Sequence, residues 1–355
     1  SYSVDVSYMV NKEVGYVSVN RFSATTHDEF VQALSKLKTQ GMKRLILDLR
    51  NNPGGFLEQA YRMADELLPQ GKKVVYTKSR RSEFDEDYTS AGGKYTDVTL
   101  IVLVNHGSAS ASEIVSGAVQ DWDRGIIIGR RSFGKGLVQK PYPLPDGSML
   151  RLTVAHYYTP SGRCIQKPYT LGDDEDYDLD ISNRIKNGEL TNPDSIHFSD
   201  TAKYFTNNKR LVKGGGGIMP DIFVPLDTTP FSTFFQDLQR KNTFQEFVLT
   251  YADNNRNQLK KDYPDLESFK NNFTVSPKLF DDFLANAEKL GVKRDTAGLR
   301  ISEKLIRLNI KALIARELWN AEGLYEVYNE FNAPLQKAIE AIQNNTFEKM
   351  KIAGK

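Results

Sequence analysis

Strand-like and helix-like segments alternate through the first two-thirds of the chain. VGYVSVNRF (14–22) alternates apolar and polar residues, and TLIVLVN (99–105) is almost wholly apolar, as in a strand buried inside a sheet. The helical segments repeat their apolar residues every three or four positions. In chain order the segments are strand 14–22, helix 26–37, strand 45–50, helix 57–68, strand 99–105, helix 110–122, strand 125–131 and strand 148–159. This alternation predicts an α/β domain over residues 1–230.

The strand signals stop near residue 231. ISEKLIRLNIKALIARELW (301–319) carries a wide apolar stripe that includes Ile301, Ile310 and Trp319, which is typical of a helix buried against other helices. A chain of 355 residues is also long enough for two domains. The sequence therefore predicts a separate all-helical domain over residues 231–355.

A segment of different character, about residues 164–217, interrupts the α/β pattern. Its acidic run GDDEDYDLD (172–180) fails as a calcium loop that starts at Asp176, because Ile181 and Asn187 occupy the glycine and glutamate positions. GGGG (214–217) lacks the lysine and hydroxyl residue of a phosphate loop, so a flexible turn is expected there. The whole segment is predicted to be a surface insertion.

Composition excludes several functions. The formal net charge of +2 gives no basic surface for nucleic acid, and the longest apolar runs are too short to span a bilayer. Cys164 is the only cysteine, which rules out a disulfide framework and a cysteine-based metal site. We expect neither a cofactor nor a metal ion.

HGSASASEI (106–114) presents three serines at the start of a predicted helix. Ser110 and Glu113 fit the S-x-x-E capping box, in which the serine only satisfies backbone N–H groups. A serine at the end of a buried strand is also suited to nucleophilic attack, because the free N–H groups of the helix start can stabilise an oxyanion. The residues alone leave both interpretations open.

The base that would activate such a serine is also open. A histidine base is possible, although G-x-S-x-G is absent around these serines; the chain has His27, His106, His156 and His197. Lys135 is the other choice, because it lies among apolar and glycine residues, and Gln139 faces the same way if the segment is extended. Ser132 and Lys135 form an S-x-x-K pair, but its S-D-N and K-T-G companions are missing.

Three separated strings, read together, resemble the core of the carboxyl-terminal processing peptidases: DLRNNPGG (48–55), GSASASEI (107–114) and RSFGKGLVQ (131–139). The resemblance implies a crotonase/Clp-protease-like fold and a serine endopeptidase with a Ser-Lys dyad. It implies that Ser110 is the nucleophile, Lys135 the base and Gln139 its support. The implied oxyanion donors are the N–H of Ala111 and one from Gly54 or Gly55, with Gly54 the first choice.

The resemblance extends over about residues 14–230. Members commonly carry a PDZ domain before the first core strand, whereas only about a dozen residues precede that strand here. We expect that such a domain was either removed with an upstream segment or is absent from this protein. The helical region resembles the tail of longer bacterial envelope members, which implies a periplasmic or cell-envelope location with the signal segment removed. The implied partners are protein or peptide substrates, and the helical domain is a candidate contact for a homo-oligomer or a regulator. No membrane span is expected.

Three rival functions remain at this point. A binding module could keep the fold without the chemistry, although the intact set of Ser110, Lys135 and Gln139 argues against it. A crotonase-like acyl-CoA enzyme would use paired amides without the dyad. A β-lactamase-type hydrolase would use Ser132 instead.

Overall fold

The computed structural model describes residues 2–169 and 174–352, with the side chains of 174–178 excepted. These residues divide into two compact units. One comprises the chain up to Pro225 together with the residues from Lys337 onwards, and the other comprises Leu226–Gln336. The sequence analysis divided the chain at 230/231 and assigned everything after that point to the helical domain.

The strands are β1 (Val4–Met9), β2 (Val14–Val19), β3 (Arg44–Asp48), β4 (Lys73–Lys78), β5 (Asp87–Thr89), β6 (Thr99–Val104), β7 (Ile126–Gly129), β8 (Leu137–Pro143), β9 (Met149–Tyr158), β10 (Tyr204–Phe205), β11 (Leu211–Val212) and β12 (Ile222–Phe223). The helices are α1 (Thr26–Thr39), α2 (Leu57–Leu67), α3 (Ala111–Asp121), α4 (Asp174–Lys186), α5 (Thr233–Arg240), α6 (Thr243–Asp262), α7 (Leu266–Asn272), α8 (Pro277–Lys289), α9 (Thr296–Asn329), α10 (Ala333–Gln343) and α11 (Thr346–Lys349). Every helix and strand of the α/β alternation predicted from sequence has a counterpart here.

The first unit is built on a six-stranded sheet of order β1-β2-β3-β6-β7-β12. Only the β1–β2 pair is antiparallel; the other four pairs are parallel. The apolar strand β6 is central, and Leu100–Val104 are buried. Parallel strands of this kind lie inside a sheet covered on both faces, which explains why the run carries no alternation. The predicted α/β core is confirmed.

A second, antiparallel sheet of order β5-β4-β9-β8 adjoins the core. Strands β8 and β9 form a hairpin, with Leu137 opposite His156 and Pro143 opposite Met149. Its outer part is exposed and includes the apolar side chains of Leu144, Met149 and Leu150. Strand β8 forms an edge of this sheet.

Much of the segment about 164–217, called here the inserted segment, is packed against the rest of the first unit. Lys167 and Arg184 are buried, and the N–H groups of Gly215 and Gly217 donate to Cys164 O and Ile165 O, both at 2.7 Å. GGGG is therefore a packed turn, and the expectation of a flexible turn is wrong. The backbone packs so closely here that a Cβ on Gly217 would lie 2.7 Å from Ser132 O. The acidic run 172–180 lies largely outside the described residues and side chains, although the backbone of 174–186 forms α4.

The second unit is helical, as predicted. Several of its helices begin at a serine or aspartate whose side chain accepts a backbone N–H: Ser232 from Phe235, Asp265 from Ser268, and Ser276 from Leu279. Its core is rich in stacked phenylalanines, such as Phe244 and Phe283 with centroids 4.9 Å apart.

The predicted helix 301–319 lies inside α9. Helical geometry breaks at Trp319 and Asn320, where the predicted helix ends. The buried face is centred on Ile306, Ile310 and Ile314, whereas Ile301, which the apolar stripe included, is 53% exposed.

Candidate active site

Five of the six predicted site residues line one open cavity of about 470 Å³ in the first unit: Gly54, Gly55, Ser110, Lys135 and Gln139. The sixth, Ala111, is buried at the first position of α3, directly after Ser110. The rest of the wall is mainly apolar, with Phe22, Phe56, Leu57, Ile114, Leu137, Val138, Pro141 and Tyr157 among its residues. Three segments that are distant in sequence therefore meet at this cavity.

Ser110 stands in a sharp turn between β6 and α3. Its φ of 53° and ψ of −112° lie in a region that residues other than glycine rarely adopt. Such strain costs about 1–3 kcal/mol and is concentrated at functional sites, where the surrounding structure holds it in place. A strained strand–turn–helix geometry is also how the nucleophile of α/β-hydrolases is presented. Ser110 adopts this geometry without the G-x-S-x-G sequence.

Glu113 holds the serine turn against the lysine segment. Its carboxylate accepts the N–H of Ser110 at 2.8 Å, which is half of the predicted capping box. It also accepts from Gly134 N at 2.7 Å, Lys135 N at 2.9 Å and Ser132 Oγ at 2.5 Å. Burial raises the pKa of Glu113, while these hydrogen bonds act in the opposite direction. Glu113 is therefore more than a helix cap.

The glycine loop is fixed by Asn52, which is fully buried. Its side chain donates to Val19 O at 2.8 Å and accepts from Gly54 N at 2.9 Å. Its carbonyl oxygen accepts from Ala109 N and from Ser112 Oγ, both at 3.0 Å. One asparagine thus joins the glycine loop to the serine turn.

Positions 54 and 55 require glycine, because neighbouring atoms leave no room for a Cβ. A Cβ on Gly54 (φ 97°) would lie 2.7 Å from Ser110 Cβ and 2.9 Å from Ala111 N. A Cβ on Gly55 (φ 146°) would lie 2.0 Å from Phe22 O. The Gly54 N–H, the first choice for the second oxyanion donor, already donates to Asn52, which leaves Gly55 as the alternative candidate.

The other serines of the run are structural. Ser108 Oγ donates to Leu49 O at 2.8 Å and accepts from Asn105 N at 2.9 Å. Ser112 Oγ donates to Asn52 O. Both hydroxyls are fully buried, so Ser110 is the serine of this run that reaches the cavity.

Lys135 lies in the stretch 132–136 of the loop between β7 and β8; this stretch is called here the lysine loop. The backbone N–H groups of this loop donate to Ile218 O, Ser108 O, both Glu113 oxygens and Gln166 Oε1. Its carbonyls accept from Arg184, Lys167 N, the Tyr157 hydroxyl and Tyr157 N. A loop with every backbone polar group paired is held rigidly, although it has no regular secondary structure.

Tyr157, on β9, connects the turn at Ser110 with the loop that bears Lys135. Its hydroxyl lies 2.6 Å from Lys135 O and 3.0 Å from Ser110 O, and the residue is buried against the cavity. Gln139 is the third residue of β8 and lies at a β-bulge, where the register with β9 shifts. It is exposed at the cavity wall. Sequence reasoning singled out Gln139 but missed Tyr157, Asn52 and the long-range contacts of Glu113.

The rival bases and nucleophiles lie elsewhere. No histidine among the described residues lines the cavity. Ser132 is fully buried, where its hydroxyl donates to Glu113 and accepts from Ile218 N at 2.6 Å. A nucleophile must reach its substrate, so Ser132 has a structural role.

Comparison with known families agrees with this geometry. Residues 13–177, which carry all six predicted site residues, match the sequence profile of Peptidase family S41. This part of the chain is a peptidase S41 domain. Residues 234–320 of the helical unit match a family of unknown function, DUF8443.

The relatives of the S41 domain include carboxyl-terminal-processing proteases. That of Picosynechococcus sp. is 46% identical over 44% of this chain and 37% of its own length, and that of Synechocystis sp. is 41% identical over 58% and 47%. The chain therefore spans less than half the length of these relatives. A solved structure titled photosystem II D1 C-terminal processing protease aligns over 61% of this chain and 44% of that one, with 30% identity and a TM-score of 0.43.

No described helix combines the length and the hydropathy that crossing a membrane requires.

Proposed function

We propose that this protein is a serine endopeptidase of the carboxyl-terminal processing type, with Ser110 as nucleophile and Lys135 as general base. The observation that carries the proposal is the meeting of both side chains at one cavity, with Ser110 in a strained turn at the start of α3. The presence of an S41 domain supports the same reaction class.

In the proposed reaction the uncharged amine of Lys135 removes the proton of Ser110 Oγ, which attacks the substrate carbonyl carbon. The N–H groups of Ala111 and Gly55 hold the oxyanion. Collapse of the intermediate breaks the peptide bond as Lys135 returns the proton to the leaving amine. Lys135 then activates water, which releases the acyl group. Gln139 supports Lys135 from β8.

The cavity lining favours an unfolded or exposed peptide tail. Its walls offer apolar contacts to a substrate side chain. Its charged lining residues are Lys135 and Arg151, and no carboxylate lines it among the described residues. We propose that Arg151, exposed on β9, attracts a carboxylate of the substrate near the cleaved bond.

The family resemblance also supports a periplasmic or cell-envelope location. Fractionation of the source cell would test it, since recovery in the cytosolic fraction would contradict the proposal.

Degradation of an unfolded test protein tests the reaction. We expect Ser110→Ala to lose activity by about 10³-fold or more, while its melting temperature stays close to that of the wild type. Ser132→Ala should keep its activity in the fraction that remains folded. Full activity of folded Ser110→Ala, or an inactive wild type, would contradict the proposal.

A further inference from the structure

The carbonyls just before Lys135 are held by an arginine that lies outside the S41 match. Arg184 is on α4, in the inserted segment, and its side chain is 3% exposed. Its guanidinium donates to Ser132 O and to Phe133 O, each at 2.8 Å. One planar group thus fixes two successive carbonyls of the lysine loop.

Arg184 is itself part of a cluster of charged side chains. Its Nε lies 3.0 Å from Asp180 Oδ2, one turn earlier on α4. Lys167 Nζ lies 3.1 Å from the same oxygen and 4.2 Å from the centroid of the Phe133 ring. The cluster therefore contacts the lysine loop at a side chain as well as at two carbonyls.

The two sides of the loop are held by opposite charges. Arg184 donates to the carbonyls of Ser132 and Phe133. The Glu113 carboxylate accepts from the next two amides, those of Gly134 and Lys135. Hydrogen bonds to charged groups are stronger than neutral ones, so the position of Lys135 depends on both partners. Glu113 lies on α3, the helix that follows Ser110, whereas Arg184 lies in the inserted segment.

We propose that Arg184 is a positioning residue for Lys135, through which the inserted segment sets the geometry of the serine–lysine pair. The inference rests on the proposed peptidase function. Arg184 touches no reacting atom; it acts through the backbone of the lysine loop. Displacing a catalytic group by about 1 Å can cost about 10²-fold in rate, so loss of this contact should slow the chemical step.

The test compares two buried arginines of the first unit. Arg163 is the control because it is 0% exposed and the partners of its guanidinium lie outside the lysine loop. Its guanidinium lies 2.7 Å from Asp121 Oδ1 and donates to Lys213 O. Arg184→Lys and Arg184→Ala are therefore matched by Arg163→Lys and Arg163→Ala. Peptide cleavage and phosphonylation of Ser110 by a fluorophosphonate, with loss of fluoride, are measured below each variant's melting temperature.

For Arg184→Lys we expect kcat and the phosphonylation rate to fall together by about 10²-fold, with KM nearly unchanged. Hydrogen exchange at the Gly134 and Lys135 amides should become faster. Millimolar guanidinium should restore part of the activity of Arg184→Ala. The Arg163 variants should lose thermal stability but keep kcat, without rescue.

Equal kcat losses in both arginine series, or unchanged kcat and unchanged exchange in Arg184→Lys, would overturn the positioning role. Failure of the peptidase proposal is distinguishable, because the wild type would then be inactive or Ser110→Ala would remain active.

Discussion

At the scale of single residues, the strained backbone of Ser110 is the clearest sign of a selected function. Glycine tolerates a φ of 53° without a Cβ penalty. We therefore expect Ser110→Gly to abolish cleavage. We also expect it to raise the free energy of unfolding of the first unit by about 1 kcal/mol, because the relieved strain exceeds the entropy that glycine adds to the unfolded chain. Ser110→Ala keeps the Cβ and should not be stabilised. Thermal melts of the two variants decide the point; a less stable glycine variant would contradict it.

His106, beside the serine turn, predicts a pH dependence of stability. Burial, and then the positive charges of Arg130 and Arg184, lowers the pKa of His106. Below about pH 6.5 the unfolded chain therefore binds a proton that the folded protein resists, so stability falls as the pH drops toward the lowered pKa. His106→Leu should show a shallower fall in melting temperature over this range. Identical slopes for the two proteins would refute the assignment.

At the scale of elements, the glycine loop must approach the serine turn closely. Gly54→Ala would bring Cβ against Ser110 and Ala111, whereas Gly71, also at positive φ (79°), has nothing within 4 Å of a built Cβ. Gly71→Ala should cost about 1 kcal/mol for its backbone alone. Gly54→Ala should cost a further 1–3 kcal/mol, roughly, for overpacking, and should also lose activity. Chemical denaturation and peptide cleavage measure both; equal effects would contradict the close-contact account.

The β8–β9 hairpin bears the proposed carboxylate contact. Arg151→Gln should raise KM several-fold for a peptide that ends in a free carboxylate near the cleaved bond, by loss of one charged contact. Lys140→Gln is the control, because Lys140 is on the same hairpin but does not line the cavity. A peptide with an amidated C-terminus and a peptide with an internal aspartate show whether Arg151 binds the terminal carboxylate or a side-chain carboxylate. Equal KM changes in the two variants would exclude Arg151 as the contact.

Local pattern predicted the four inner strands of the core sheet, β2, β3, β6 and β7, and strand β9 of the second sheet, but not β4 or β5. Helices α1 to α3 show their periodicity, and strand β6 its unbroken apolar run, in their own residues. Strands β4 and β5 are short, and their pairing with β9 depends on contacts distant in sequence. The same limit applies to the site. Ser110 to Glu113 reads locally as a capping box, and nothing in that stretch shows that Glu113 also binds the amides of Gly134 and Lys135.

At the scale of the whole molecule, the described site belongs to the first unit. The segments around Gly54, Ser110 and Lys135 converge at the cavity, and the inserted segment holds the last of them through Arg184. The helical unit has its own apolar core and its own family match. The three motif strings therefore predicted residues that line one cavity, whereas the residues that hold them in place emerged only from the fold.

The central claim is that Lys135 activates Ser110, and intact-mass measurement after reaction with a fluorophosphonate tests it most directly. The wild type should gain one adduct, mapped to Ser110 by peptide fragmentation. Folded Lys135→Ala should react far more slowly under the same conditions. An adduct on Ser132, or an equal rate of labelling in Lys135→Ala, would contradict the account.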